Sequence, residues 1–377
     1  MKKGFGVLSW LIALSLLLCA CAPALPQEPE TPSSSESLPP PVSSEDTPAS
    51  SEDPGPQPER FTLSFAGDCT LGDNYDKTNR YNTFCQVVGD DYDYPLANVR
   101  DIFQHDDLTL VNLECALTEA EPTEEEMEEL KDHLFRFRGP KAYAKILSGS
   151  GVEFASCANN HSRDYGKQGQ QDTLDALTAE NVHSASAWKN CLITTPGGLK
   201  VGIYCAYFAF SKNEITNQVR YLREQGAQIV IVSVHWGDEG TYRPNEKQQD
   251  LGHLAIDAGA DIVYGHHSHT LQPIEWYNGG VIYYSLGNFS FGGSVNPRDK
   301  DTAILQQEIL RYPDGTVTLG SLRAIPCSVS AVENRNDYRP TPYAEEHPGY
   351  QRVFEKLEGS FEGADLEVSY PTQTEKS

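Results

Sequence analysis

Three of the chain's ten histidines lie within four positions, at His266, His267 and His269. They follow the apolar segment 260–263, which predicts a short buried strand, so we expect the histidines at its carboxyl end. In an extended segment His267 and His269 point to the same side, because side chains alternate with a period of two. Two imidazoles on one side can bind a divalent metal ion. The alternative is a solvated loop that happens to be rich in histidine.

Polar side chains also stand at the carboxyl ends of four other predicted strands. These residues, each with the strand before it, are Asp68 (61–66), Glu114 (108–113), Asn160 and His161 (152–157), and His235 (227–234). Each alone has a structural explanation, such as turn capping for Asp68. Open α/β folds gather the carboxyl ends of their strands into one crevice. We therefore expect the five strand ends to form one site.

The combined set offers carboxylate, amide and imidazole ligands. That mixture suits Mn²⁺, Fe or Zn²⁺ better than Ca²⁺, and it needs no thiol. Such ions bind a phosphoryl group or a similar oxyanion and lower the pKa of a bound water. The sequence therefore predicts a site for one or two divalent metal ions. The candidate ligands are the polar side chains at the five strand ends, with His161 open as a ligand or a proton donor.

Six short motifs carry these residues. In chain order they are Gly67-Asp68, Asn112-Leu113-Glu114, Ala158-Asn159-Asn160-His161, His235-Trp236-Gly237, Gly265-His266-His267-Ser268-His269 and Ser285-Leu286-Gly287-Asn288-Phe289. Together they resemble the CapA-type capsule and poly-gamma-glutamate biosynthesis proteins, over about residues 61–342. That family resembles calcineurin-like metallophosphoesterases. The resemblance implies an α/β fold, a four-layer β-sandwich flanked by helices, with the metal site at one sheet edge.

The resemblance implies that the metal ligands are Asp68, Glu114, Asn160, His235, His267 and His269. Further roles are expected for residues outside this set. His161 is expected to be the general acid that protonates the leaving group, with Asp164 orienting it. Asp164 is equally well explained as the cap of a helix over 167–180. Glu239, Asn288 and His266 are expected to contact substrate. For Asn288 the alternative is a left-handed turn, and for His266 the alternative is metal ligation in place of His267.

Some positions depart from the phosphoesterase pattern. The motif Asp-x-His reads Asp68-Cys69-Thr70 here, so one imidazole is missing. Glu114 stands where a bridging aspartate usually lies, and Ser268 replaces the proline expected in the CapA-type motif. These departures favour a single bound ion over a pair.

The first residues predict export from the cytoplasm. Lys2 and Lys3 precede an uncharged apolar segment over 5–18, which is typical of a secretory signal. The sequence Leu18-Cys19-Ala20-Cys21 resembles a bacterial lipobox, which implies cleavage after residue 20 and lipidation of Cys21. The alternative is an uncleaved anchor helix within 4–27. In both cases we expect an extracytoplasmic protein held at the cell membrane, and a lipoprotein in the first.

The remaining organisation follows from composition. Residues 22–59, rich in Pro, Ser and Glu, predict a disordered spacer, and residues 60–342 predict the metallophosphoesterase-type domain. Residues 343–377 are weakly patterned, with a possible helix over 353–357, and we expect this C-terminal extension to fray. The net charge of -25 argues against nucleic-acid binding.

These features support three functional hypotheses. The first is a membrane-tethered, metal-dependent hydrolase of capsule or poly-gamma-glutamate synthesis and export. Its partners would be an anionic polymer or phosphorylated precursor, polymer synthase subunits and, through a lipid anchor, the membrane. The second is a non-catalytic tethering or scaffolding subunit of the same machinery. The third is a secreted phosphatase unrelated to capsule.

Overall fold

The computed structural model describes residues 57–74, 81–131 and 135–368. The predicted signal segment, the lipidation residue Cys21 and nearly all of the spacer lie outside these residues. No helix within the described ranges is long and apolar enough to cross a membrane.

Strands make up most of the described chain. In chain order they are β1 (Glu59–Thr70), β2 (Asp73–Asn74), β3 (Leu108–Leu113), β4 (Ala116–Leu117), β5 (Phe137–Gly139), β6 (Phe154–Cys157), β7 (His183–Ser186), β8 (Lys189–Thr194), β9 (Lys200–Tyr207), β10 (Ile229–His235), β11 (Ile262–His266), β12 (Ile274–Tyr277), β13 (Gly280–Tyr283), β14 (Asn288–Phe291), β15 (Asp301–Arg311), β16 (Val317–Ser328) and β17 (Thr341–Pro342).

Helices connect and flank these strands. They are α1 (Phe84–Val88), α2 (Arg100–Phe103), α3 (Glu124–Glu129), α4 (Ala144–Ser148), α5 (Gly166–Ala179), α6 (Lys212–Glu224), α7 (Glu246–Asp257) and α8 (Pro348–Glu358), with a 3₁₀ turn at Lys141–Tyr143. Helices α6 and α7 begin with capping boxes, Ser211 with Glu214 and Asn245 with Gln248. Each box satisfies backbone N–H groups of the first turn, which explains where these helices begin.

Two large sheets form the body of the domain. The first has the order β17-β16-β15-β1-β3-β6-β7, with β14 also paired to β1. The second has the order β12-β13-β11-β10-β9-β8, and a small third sheet has the order β2-β5-β4. Strands β1, β3 and β6 run parallel in the first sheet, and β9, β10 and β11 run parallel in the second. Their carboxyl ends therefore share an edge within each sheet.

The sheets pack face to face, and helices cover their outer faces. Phe65 of the first sheet contacts Tyr264 and Tyr283 of the second, with ring centroids 5.1 and 5.3 Å apart. Outside the first sheet, α1, α4 and α5 bury apolar side chains, and α6 and α7 do so outside the second. Apolar burial on both faces of each sheet drives this layering. The predicted four-layer α/β sandwich is confirmed.

The prediction that the chain frays after residue 342 is wrong for α8. This helix begins with Pro348 after a His347 cap and ends at Gly359, whose φ of 77° suits glycine. Val353 and Leu357 join the apolar core between the sheets. The two side chains are four positions apart, so they lie on one face of the helix. The possible helix over 353–357 lies within α8, which extends beyond it at both ends.

Candidate metal centre

The predicted strand ends converge where the two sheets meet. In the first sheet, Asp68 lies two residues before the end of β1, and Glu114 directly follows β3. His235 is the last residue of β10 in the second sheet. His235 Nε2 lies 3.4 Å from Glu114 Oε1, and His269 Nδ1 lies 3.4 Å from Asp68 Oδ2. Residues from opposite sheets therefore meet within contact distance.

Glu114, His267 and His269 form the core of the site. Each offers one ligand atom, and the three atoms lie within 4.8 Å of one another. Glu114 is fully buried, and neither of its carboxylate oxygens has a hydrogen-bond partner. Buried polar atoms without partners are rare and costly, and a cation among them would satisfy them. The donor set therefore fits a divalent metal ion such as Mn, Fe or Zn.

The loop after β11 places the two histidines differently from the sequence expectation. Strand β11 ends at His266, and His267 and His269 have φ values of 95° and 57°. The predicted extended alternation is therefore wrong. The Ser268 carbonyl accepts a 2.7 Å hydrogen bond from Gly240 N, which ties the loop to the segment after β10. This turn, rather than strand alternation, brings both rings toward Glu114.

Asp68 is held from two sides. Asn112 Nδ2 donates to Asp68 Oδ1 at 2.8 Å, and the Asp68 amide donates to Gly287 O at 2.8 Å. A Cβ on Gly67 would lie 2.1 Å from Gly287 O, so only glycine permits this approach. The second oxygen, Asp68 Oδ2, is buried without a hydrogen bond and faces His269. One oxygen is thus positioned and the other remains available to a ligand.

Asn160 and His235 contact each other at the centre. His235 Nε2 lies 2.6 Å from Asn160 Oδ1, and His235 is fully buried. Burial lowers the pKa of His235 to about 3, so its ring is neutral at physiological pH. A neutral imidazole and an amide oxygen are both competent metal ligands.

His161 and Asp164 form a hydrogen-bonded pair beside this cluster. His161 Nδ1 lies 2.8 Å from Asp164 Oδ2, which also accepts from Phe137 N at 2.7 Å. Burial opposes protonation, but the Asp164 carboxylate outweighs it and raises the pKa of His161. Helix α5 has Tyr165 at its N-cap and no side-chain cap, so the capping alternative for Asp164 is wrong.

His266 lies deeper than the other two histidines of its cluster. It is 1% exposed, with Nε2 3.2 Å from Ser233 Oγ and Nδ1 3.7 Å from Asp68 Oδ1. Burial lowers the pKa of His266 to about 3. His266 Nδ1 therefore faces the Asp68 carboxylate from within the second sheet.

Asn288 holds His269 through both ends of its amide. Asn288 Oδ1 lies 2.9 Å from His269 Nδ1, and Asn288 Nδ2 donates to His269 O at 3.2 Å. The left-handed residue of this turn is Gly287, with φ of 65°, so the left-handed alternative for Asn288 is wrong. Glu239 lies half-buried in the loop after β10.

The charges of the site depend on one another. Burial raises the pKa of Glu114, and the neighbouring Asp68 adds to that effect. Burial also opposes protonation of His269, but Glu114 and Asp68 together raise the pKa of that imidazole. Contact with His269 in turn keeps the pKa of Asp68 low despite burial. Two buried carboxylates thus require positive charge, which a metal ion supplies more effectively than one imidazolium.

Sequence reasoning missed two asparagines that support the site. Asn112 Oδ1 accepts from Asn159 Nδ2 at 3.0 Å, and Asn159 Nδ2 also donates to Leu113 O at 2.8 Å. This link joins β3 to the loop that carries Asn160. The available signal was an amide side chain, Asn112, in a buried strand two positions before Glu114.

The fold is an α/β sandwich, and the carboxylates and imidazoles at its strand ends form a donor set that fits a divalent metal ion. The model of the family described as bacterial capsule synthesis protein PGA_cap matches residues 62–293. The chain belongs to this family, as the resemblance of its motifs predicted.

Two curated relatives and one solved structure illustrate the similarity. The chain is 31% identical to the PGA biosynthesis protein CapA of Bacillus subtilis over 277 residues, covering 68% of this chain and 69% of that protein. It is 27% identical to the capsule biosynthesis protein CapA of Bacillus anthracis, covering 67% and 64%. Haemophilus influenzae NAD nucleotidase aligns over 83% of this chain and 65% of its own, with 11% identity and a TM-score of 0.43. At that score the structural similarity does not bear on activity.

Proposed function

We propose that this protein is a membrane-tethered, extracytoplasmic accessory protein of capsule or poly-gamma-glutamate synthesis that acts as a metal-dependent hydrolase. The observation that carries the proposal is the buried Glu114 carboxylate, which has no hydrogen-bond partner and faces His267 and His269. Family membership supports the role in capsule synthesis. The substrate would be an anionic polymer or a phosphorylated precursor, and polymer synthase subunits would be partners.

Different residues of the site would bind the metal ion, donate the proton and position the ligands. Glu114, His267 and His269 would hold the ion, with Asp68, Asn160 and His235 beside them. A bound divalent ion would polarise an oxyanion and lower the pKa of water. His161 keeps Nδ1 on Asp164, which leaves Nε2 to hold the proton for the leaving group. Asn288 fixes the ring of His269.

Metal content tests the site. The purified full chain, exchanged into Mn²⁺ or Zn²⁺ and freed of excess ion, should retain at least one ion per chain by elemental analysis. His267→Ala and His269→Ala should lose it, whereas His183→Ala, which removes an exposed imidazole of β7, should not. Sub-stoichiometric metal in the parent chain would contradict the hydrolase proposal.

Turnover separates the hydrolase from a scaffold. The metal-loaded chain should hydrolyse bis(p-nitrophenyl) phosphate or a gamma-linked glutamate oligomer. The variant His161→Asn should keep its metal and lose about 10²–10⁴-fold in kcat. Thr70, which stands where the phosphoesterase pattern has an imidazole, favours the scaffold alternative. Bound metal without turnover of either substrate would support that alternative.

The membrane tether has its own test. Cells that express the full chain should carry it in the membrane fraction, and Cys21→Ser should shift it to the soluble fraction or leave an uncleaved precursor. The matched variant Cys19→Ser removes a neighbouring thiol and should remain membrane-bound. Unchanged fractionation and processing of Cys21→Ser would contradict lipidation at this residue.

A further inference from the structure

A row of aromatic rings leads from the protein surface to the metal centre. We call Trp188, Tyr207 and Phe208 the aromatic ledge. The ring centroids of Trp188 and Tyr207 are 6.4 Å apart, and those of Tyr207 and Phe208 are 4.3 Å apart. Phe208 in turn lies 5.3 Å from His267, and Tyr207 lies 6.2 Å from His235. The ledge therefore contacts two imidazoles of the site directly.

The rings at the two ends of the ledge, Trp188 and Phe208, are exposed. Trp188 is 51% and Phe208 is 39% exposed, and Tyr207 is half-buried. The apolar surface of these rings therefore stays in contact with water in the folded protein. A ligand that covers these rings would bury that area.

Both exposed residues also adopt a backbone conformation that aromatic residues rarely take. Trp188 and Phe208 each have a φ of 59°. Hydrogen bonds hold them there, from Trp188 N to Cys205 O at 2.7 Å and from Phe208 N to His235 O at 2.8 Å. A left-handed backbone conformation costs free energy for bulky residues. Because these rings are exposed, their burial offsets little of that cost. Fold stability therefore does not explain these two side chains.

Lysines accompany the ledge. Lys247 and Phe208 line the same cavity of about 120 Å³, whose wall includes Trp236. Asp238 also lines it, and Asp238 Oδ2 accepts a hydrogen bond from Asn245 Nδ2 at 2.7 Å. Lys189 directly follows Trp188 and is exposed.

These lysines are available to a ligand. Neither Lys189 nor Lys247 has an ion-pair partner among the residues that the structure describes, on a chain whose net charge is -25. Unpaired cations beside exposed rings suit a ligand that combines negative charges with short apolar stems.

We propose that the aromatic ledge, with Lys189 and Lys247, positions a gamma-linked polyglutamyl chain against the metal centre. Each glutamyl unit carries one carboxylate and an apolar methylene stem, so the lysines neutralise carboxylates while the rings cover stems. This inference rests on the proposed function, because it places the polymer at the same centre. The ledge residues are positioning residues, since the rings act by stacking rather than by proton transfer.

Calorimetric titration of the metal-loaded full chain with gamma-linked hexaglutamate tests the proposal. Phe208→Gly and Trp188→Asn remove a ring and suit a left-handed backbone, so their melting temperatures should equal or exceed that of the parent. Each variant should weaken hexaglutamate binding about tenfold, because it loses one well-packed ring contact with the ligand. Phe208→Tyr keeps the ring and should bind within about twofold of the parent. Lys247→Gln should also weaken binding, and more strongly at low salt.

Two controls separate the ledge from general effects. Trp276→Ala removes a tryptophan of β12 that is 54% exposed, and its binding should match that of the parent. Uncharged maltohexaose should not bind the parent. With catalysis present, the ledge variants should raise KM for the oligomer more than they lower kcat.

Specific results would overturn the proposal. Parent-like affinity in both Phe208→Gly and Trp188→Asn would do so, as would equal binding of maltohexaose or loss of metal from Phe208→Gly. If the parent holds metal and cleaves the phosphodiester but these variants bind hexaglutamate unchanged, the ledge inference fails and the proposed function stands. If the parent holds no metal, the proposed function fails, and hexaglutamate titration of the metal-free chain still decides the ledge.

Discussion

Among single residues, Glu114 has the least structural explanation apart from metal binding. It is fully buried, its oxygens have no hydrogen-bond donors, and burial raises its pKa. A carboxylate placed for stability would accept hydrogen bonds or be exposed. We therefore regard Glu114 as a ligand whose cost to folding is offset when a cation binds.

Replacing Glu114 with glutamine separates charge from shape. Glu114→Gln should lower metal affinity at least about tenfold, because the anionic ligand is lost. Without metal, the variant should be at least as stable as the parent, since an uncharged amide is less costly to bury. Elemental analysis and thermal unfolding with and without metal measure both effects. Exposed Glu124→Gln is the control, and metal retention by Glu114→Gln would remove Glu114 from the ligand set.

Asp106, at the opposite end of β3, is expected to make the stability of the fold depend on pH. Burial raises the pKa of Asp106 to about 7, and Glu153 and Asp107 add to the effect while Thr109 opposes it. The folded pKa exceeds the unfolded value of about 3.9. The protonated form thus favours folding at low pH, and that contribution is lost as the pH rises through about 7.

Asp106→Asn should remove this pH dependence. The free energy of unfolding of the variant, relative to the parent, should increase by about 1–2 kcal/mol between pH 5 and pH 8, allowing for partial exposure. Urea denaturation at the two pH values gives the difference. A difference that stays constant with pH would mean that Asp106 titrates normally.

Among the elements, α8 is attached by charge as well as by apolar contact. Lys356 Nζ donates to Asp299 Oδ2 and Asp301 Oδ2, each at 2.7 Å, and Arg352 Nη2 donates to Asp301 Oδ1 at 2.7 Å. Lys356 and Asp301 are both about 2% exposed. A buried ion pair of this kind adds little net stability, but removing one partner leaves the other charge buried and uncompensated.

Lys356→Met keeps the apolar stem and removes the ammonium group. We expect it to lower the free energy of unfolding by about 3 kcal/mol, because Asp299 loses the Lys356 ammonium group while Asp301 keeps its ion pair with Arg352. Lys131→Met breaks the surface pair with Glu128 and should cost less than about 1 kcal/mol. Urea denaturation of both variants compares the two sites. Equal small effects would show that Lys356 is not needed to neutralise the carboxylates.

For the whole molecule, the C-terminal segment belongs to the packed body. Val353 and Leu357 lie in the core between the sheets, and Leu366 N donates to Gly240 O at 2.9 Å, beside the loop that holds Ser268. The segment after residue 342 therefore supports both the sandwich and the loop of the metal centre.

Truncation tests this contribution. A chain that ends at residue 342 should melt at least about 5 °C below the full chain, because burying two large aliphatic side chains contributes about 3–6 kcal/mol. A chain that ends at residue 368 should melt with the full chain. Calorimetry of the three chains makes the comparison. Equal melting temperatures would show that the stable domain ends at residue 342.

The sequence by itself determined the central strands of both sheets and the polar residues near their ends, but not the short strands β7, β12 and β14. Apolar periodicity and capping act over a few residues, so strand β3 was predicted to the residue and Glu114 was placed directly after it. The six motifs also predicted the family and the layered fold.

Only the tertiary structure decided how those residues meet. The left-handed conformations of His267 and His269, the Asn288 contact and the Asn112–Asn159 link all depend on partners far away in sequence. The buried face of α8 likewise has meaning only against the two sheets. Hydrogen bonds and packing between distant segments override local preference, and local pattern contains no information about them.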